Sequence, residues 1–158
     1  MIDRNSRDKL ALALRRYAAK RITNDELEYA MGNSEDRAIS AIQDMAWQLY
    51  DDMYCHRAEG KHALTKDARR TVARWVLFLR TDCEYSWPDY NFRQPENRLT
   101  QYVMDLFTAG KSSKKRRKRW LDFLSAGHFE VWPFINQSGE DCARSSARYA
   151  GRFPNDAS

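Results

Sequence analysis

The chain has 158 residues, 42% apolar and 13% aromatic, with four prolines and six glycines; this suits one folded domain with a real core and excludes disordered and collagen-like classes. No run approaches the ~20 apolar residues that cross a bilayer, and Met1-Ile2-Asp3-Arg4-Asn5 lacks the apolar core of a secretory signal, so a cytoplasmic protein with no membrane partner is expected. The net charge of +5 conceals segregation: residues 1–21 carry seven basic and two acidic side chains, residues 22–60 two and nine, and residues 61–158 eighteen and eleven.

Residues 6–21 place Leu10, Leu14, Tyr17 and Ala18 on one face and Arg and Lys on the other, which predicts an amphipathic helix. Thr23 with Glu26 reads as a capping box opening a short helix over 24–31 that stops near Gly32. Asn33 or Ser34 is the expected cap of the next helix. Its apolar residues Ala38, Ile39, Ile42, Met45, Ala46, Leu49, Tyr50 and Met53 keep helical spacing and predict a run to about Arg57.

Thr65 suits the cap of a helix over 66–81. Asp82–Pro95 then holds Tyr85, Trp87, Tyr90 and Phe92, and reads as an ordered aromatic arm, or a short strand, because four exposed rings would be costly. Pro95 fits the first turn of a helix to about Ala109, ended by Gly110. Ser112 or Ser113 opens a further helix that Gly127 closes, His128–Ile135 forms a second extended arm, and Ser138 with Asp141 predicts a last helix to about Ala150. The expected fold is all-α: one domain over 1–150 of six to seven helices, and a polar tail over 151–158.

Two stretches 45 residues apart repeat one pattern. Arg74-Trp75, Phe78-Leu79 and Trp87-Pro88 match Arg119-Trp120, Phe123-Leu124 and Trp132-Pro133, six identities in fifteen positions. Trp at i, Phe at i+3 and Leu at i+4 share a helix face, and the Trp-Pro step forces an extended or turning chain. Each unit is therefore a helix followed by an arm that ends in an indole. Trp87, Tyr90 and Trp132 are candidate interface anchors; the competing expectation is that each arm fastens back onto its own helix.

Phe78-Leu79-Arg80-Thr81-Asp82 with Glu84-Tyr85 and Trp87-Pro88, then Glu130-Val131-Trp132-Pro133-Phe134, and the opening Ile22-Thr23-Asn24-Asp25-Glu26, resemble a group of short bacterial proteins of unknown function. The resemblance implies a bacterial, cytoplasmic, mostly helical protein. It implies no activity and no catalytic residue.

Lys111, Lys114, Lys115, Arg116, Arg117, Lys118 and Arg119 form the strongest candidate binding site. Six consecutive cations go right round a helix, so they are more than one solvated face. Cations beside a helix N-terminus are mildly unfavourable, which makes the cluster a receptor for anions. It would dock an acidic protein surface or phosphate, unless Glu26, Glu28, Glu35, Asp36 or Asp51-Asp52 neutralise it within the fold. Trp120 and Phe123 lie at core spacing, so base stacking is disfavoured against phosphate contact alone.

Asp52 and His56, at i and i+4 of the predicted helix with Cys55 and His62 nearby, are the weak candidates for a metal or catalytic site; Asp82, Cys83 or Glu84 would have to complete the ligands. His128, past Gly127, suits capping of helix carbonyls. Cys55, Cys83 and Cys142 are scattered without a C-x-x-C, which argues against a disulfide framework. With no nucleophile, phosphate-loop or zinc motif, no cofactor is expected and an enzyme is disfavoured. The leading expectation is a non-catalytic helical protein-binding module, an accessory or immunity-like bacterial protein, that docks an acidic partner through the cationic run. The alternatives are sequence-independent nucleic-acid binding and an enzyme around Asp52 and His56.

Overall fold

A computed structural model describes residues 1–90 and 111–146, with side chains in the second segment from Arg117 onward. These residues are all-α, in six helices: α1 (Arg4–Ala18), α2 (Asn24–Ala30), α3 (Arg37–Ala46), α4 (Lys66–Leu79), α5 (Lys111–Leu124) and α6 (Gln137–Arg144). Short 3₁₀ turns occupy Trp47–Leu49, Gly60–His62 and Phe129–Val131. The buried apolar residues join into one cluster that draws on all six helices. The helix predicted from Pro95 to Ala109 and the tail over 151–158 lie outside the described residues.

Periodicity and caps place the first helices closely. Leu10, Leu14 and Tyr17 of α1 are buried as their spacing requires, and Thr23 and Glu26 form the reciprocal capping box of α2. Thr65 Oγ1 accepts from the Ala68 N–H and opens α4. Val72, Trp75, Val76 and Leu79 of α4 face the core beside α1.

Four helix ends differ from expectation: at α3 a tertiary partner takes the backbone or the expected cap, and at α6 neighbouring side chains do. The cap of α3 is Asp36, whose Oδ1 accepts from the Ala38 N–H at 3.0 Å; Ser34 instead donates to Asp3 Oδ2 at 3.0 Å. The same helix stops at Ala46, and Tyr50 is extended. There the buried Asn24 side chain donates to Asp51 O (3.2 Å) and Tyr54 O (3.0 Å) and accepts from the His56 N–H (2.7 Å), which holds 51–56 as a loop. Met53, at an apolar helical position, is thereby exposed. In α6 the cap is Asn136, not Ser138, and the helix ends at Arg144, where Ser145 Oγ and Ser146 Oγ donate to Cys142 O and Ala143 O.

One arginine of α1 faces inward. Arg7 and Asp36 are 1% and 2% exposed, and pair through Nε–Oδ2 at 2.6 Å and Nη2–Oδ1 at 3.0 Å. Arg7 Nη1 also donates to Thr81 O (3.1 Å) and Cys83 O (2.8 Å), just past α4. Its guanidinium lies over the Phe78 ring. The neighbouring Arg4 donates to Leu79 O and Thr81 O. Burial would raise the Asp36 carboxyl, but hydrogen bonds from Arg7 and from the Asp3 and Ala38 N–H groups, with the Arg7 charge, outweigh it and hold the carboxyl low.

The arms cross. Trp87 of the first arm packs on Phe123 of α5, ring centroids 4.9 Å apart, and its Nε1 is shared between Pro133 O (3.1 Å) and Phe134 O (3.2 Å) of the second arm. Trp132 of the second arm meets Trp75 of α4 edge-on at 5.9 Å, and its Nε1 donates to the Tyr85 hydroxyl at 3.1 Å. Each indole is therefore seated on the other unit's helix, which corrects the expectation that each arm folds onto its own. Each arm also touches its own helix through another ring, Tyr85 at Phe78 and Phe129 at Trp120 and Phe123. No strand forms in residues 82–90. The second arm returns so closely that a Cβ on Gly127 would lie 2.5 Å from Ile135 O, which glycine alone permits.

Removing one partner of the buried pair should be severe. Arg7→Met is expected to cost about 3–5 kcal/mol in urea unfolding, and R7M/D36N, which keeps a capping side chain, should be less destabilised than the sum of the single changes. Because the folded Asp36 value lies below the ordinary 3.8, its contribution is full above that value and is lost as pH falls through the lowered one; the acid limb of a pH–stability profile should be shallower in D36N. Trp87→Phe keeps the ring but strips the donor from two carbonyls, for an expected loss of about 1–3 kcal/mol. Trp87→Ala should cost about 3–5 kcal/mol by the same measurement.

Candidate functional site

The cationic run lies on α5, which is helical from Lys111, so neither Ser112 nor Ser113 is its cap. The second half of the helix is fixed by its rings. Phe123 is buried under Trp87, Trp120 is half-buried, stacked on Phe123 at 5.6 Å and tilted against Tyr90 at 5.1 Å, and Phe129 closes the cluster edge-on. Arg117, Lys118 and Arg119, directly before this anchor, are exposed. Their side chains have no hydrogen bond or ion pair to a described residue.

Of the carboxylates that were candidates to neutralise the run, three are engaged elsewhere. Asp36 belongs to Arg7, Glu26 to the capping box, and Asp51 accepts from the Met53 N–H. Glu35 and Asp52 are exposed, and Glu28 half-buried; none pairs with Arg117–Arg119. The C-terminal part of the chain keeps its own internal pairing: Glu140 of α6, nearly buried, receives Arg74 of α4 at 3.4 Å and Arg144 at 2.5 Å.

A further contributor was absent from the sequence reading. Leu121 is 53% exposed, one turn after Arg117 and Lys118 on the same side of α5. Its signal was legible, because Trp120, Phe123 and Leu124 already define the core face and Leu121 falls outside it.

The interface aromatics separate. Trp87 and Trp132 are buried in the crossed arms, so neither ring is presented to a partner in this fold, while Tyr90 remains half-buried against Trp120 and Phe123. Trp120 and Phe123 are likewise committed to packing.

Asp52 and His56 are not helical neighbours, because α3 ends before them. Both ring nitrogens of His56 face backbone carbonyls, Nδ1 at 3.1 Å from Arg57 O and Nε2 at 3.0 Å from Asp51 O. The ring stacks on His62 at 3.7 Å, whose own titration is lowered by desolvation first and then by the positive charge of His56 and Lys61, with Asp51 opposing. A histidine ligand must offer a nitrogen lone pair to the metal, and here both are turned to carbonyls. Among the described residues no three or more His, Cys, Asp or Glu side chains group to hold a metal ion. Asp82 pairs with Arg4 instead. His128 is exposed, and its backbone N–H donates to Ile135 O at 3.0 Å, so it secures the second arm rather than capping α5.

No helix among the described residues is long and apolar enough to cross a membrane. Comparison of the chain with protein-family models, curated proteins and solved structures finds no match in any of the three.

Proposed function

We propose that this chain is a non-catalytic binding module that docks an acidic protein surface on the cationic side of α5, an accessory or immunity-type role. The observation that carries the reading is that Arg117, Lys118 and Arg119 are exposed and unpaired among the described residues, while Asp36, Glu26 and Asp51 are used elsewhere. Cations left without internal partners set up a positive field that attracts and orients an anionic partner.

Leu121 favours a protein over a nucleic acid. An exposed apolar side chain one turn from two cations suits a partner that alternates carboxylates with apolar residues, and contributes nothing to a phosphate backbone. The rings that would stack on bases are packed inside. Phosphate contact without base reading is the alternative activity of the same cations.

A Glu- and Leu-containing peptide and a short DNA duplex, each titrated in fluorescence anisotropy, separate the two. Changing Lys114–Arg119 to Gln should abolish peptide binding while the circular dichroism of the fold is unchanged. Leu121→Ser should weaken the peptide about 10-fold and leave DNA unaffected. DNA binding that outcompetes the peptide and falls about a thousand-fold between roughly 50 and 200 mM salt, as about six phosphate contacts require, would establish the alternative instead. Unfolding of the Gln variant would show the run to be structural.

A further inference from the structure

The acidic part of the chain has an exposed surface of its own. In the loop after α3, Met53 and Tyr54 are 73% and 66% exposed, directly following the exposed Asp51 and Asp52. The loop is anchored. Asn24 holds its carbonyls and the His56 N–H, and Thr23 bridges to Arg57. This anchoring brings Asp25 and Glu26, exposed in the first turn of α2, alongside, and Tyr29 on the same helix is 95% exposed. Of the two cations in residues 22–60, Arg37 pairs with Asp89 and only Arg57 is left near the patch. Large apolar side chains on a fixed loop, rimmed by carboxylates, have the composition of a protein interface.

Along the chain, α4 separates this surface from the arm that holds α5. The loop precedes Thr65, where α4 starts; its 14 residues then carry the chain about 21 Å to the first arm, where Trp87 and Tyr90 receive Phe123 and Trp120 of α5. The two surfaces are opposite in charge, and among the described residues no ion pair joins Asp25 or Asp52 to Arg117, Lys118 or Arg119.

We infer that the acidic Met53–Tyr54 surface of one copy docks on the cationic α5 surface of a second copy, so that the protein self-associates head to tail. The inference rests on the reading of α5 as a docking site for acidic surfaces, and names the occupant. Asp25 and Asp52 face Arg117, Lys118 and Arg119, and Leu121 supplies the apolar counterpart to Met53 and Tyr54. The two surfaces differ, so the contact is heterologous, and every complex keeps one unused surface of each kind to which further copies add.

Sedimentation velocity of the intact chain tests it. At about 50 mM salt the average mass should rise with concentration above that of one chain, and at about 500 mM it should return to one chain, because screening shortens the reach of the charges. D25K/D52K spares the carboxylates that cap backbone groups, and R117E/K118E/R119E lies outside the core; each alone should stay at single-chain mass. An equimolar mixture retains one intact surface of each kind and should regain association. Wild type that remains a single chain at low salt, or variants that associate as wild type does, overturns the inference. Binding of a Glu- and Leu-containing peptide by monomeric D25K/D52K reports on α5 separately. If wild type does not self-associate but this variant holds the peptide, self-docking falls and the acidic-partner reading stands; if neither occurs, both fall.

Discussion

The buried Arg7–Asp36 pair is the constraint on which the rest of the fold depends. It joins three elements that are distant in sequence: α1 through Arg7, the start of α3 through the Asp36 cap, and the exit of α4 through the Thr81 and Cys83 carbonyls. Desolvating two charges costs several kcal/mol each, so such a pair is weak evidence of net stability. Its value here is positional. A guanidinium with four of its five N–H directions engaged accepts one arrangement of three backbones, and an apolar replacement of the pair would leave the Cys83 carbonyl and the Ala38 N–H without partners.

Fixing the exit of α4 fixes the first arm. With Thr81 and Cys83 held by Arg7, Tyr85 and Trp87 enter the core, where both meet the second arm and Tyr85 also touches Phe78 of its own helix. The crossing has a physical reason in the indole N–H. A buried Trp needs an acceptor, and the free carbonyls at the Pro133–Phe134 turn provide it for Trp87, as the Tyr85 hydroxyl does for Trp132. Burial, opposed by that Trp132 hydrogen bond and by the Arg37 charge, pushes the Tyr85 hydroxyl up to about 12, so it stays protonated over the ordinary pH range.

Local signals were legible where the physics is local. The apolar stripes of α1 and α4, the Thr23–Glu26 box and the Thr65 cap each depend on residues within a turn or two. What the sequence hid depends on partners far along the chain. The stripe through Leu49, Tyr50 and Met53 continues past the true end of α3, because Asn24 offers the loop hydrogen bonds that periodicity does not register. Arg7 looked like one of several solvent-facing cations, since nothing near it in sequence marks it as the partner of Asp36. The candidate site was legible as a run of charge; that Asp36, Glu26 and Asp51 are engaged away from Arg117–Arg119 was not, because their partners are set by the fold.

The same packing determines what kind of surface α5 offers. Tethered on a flexible tail, its cations would lose backbone and side-chain freedom on binding, and much of the attraction would be spent on ordering. Phe123 under Trp87, and Trp120 between Phe123 and Tyr90, instead hold the second half of α5 against the crossed arms. The backbone of Arg117–Arg119 is thereby continued rigidly from a buried anchor, and only side-chain rotors remain to be ordered. Like charges at neighbouring positions oppose helix formation, so the helix at this point is stabilised by the aromatic anchor rather than by its own sequence. An anionic partner would relieve that repulsion, and its binding and the stability of α5 are therefore coupled in the same direction.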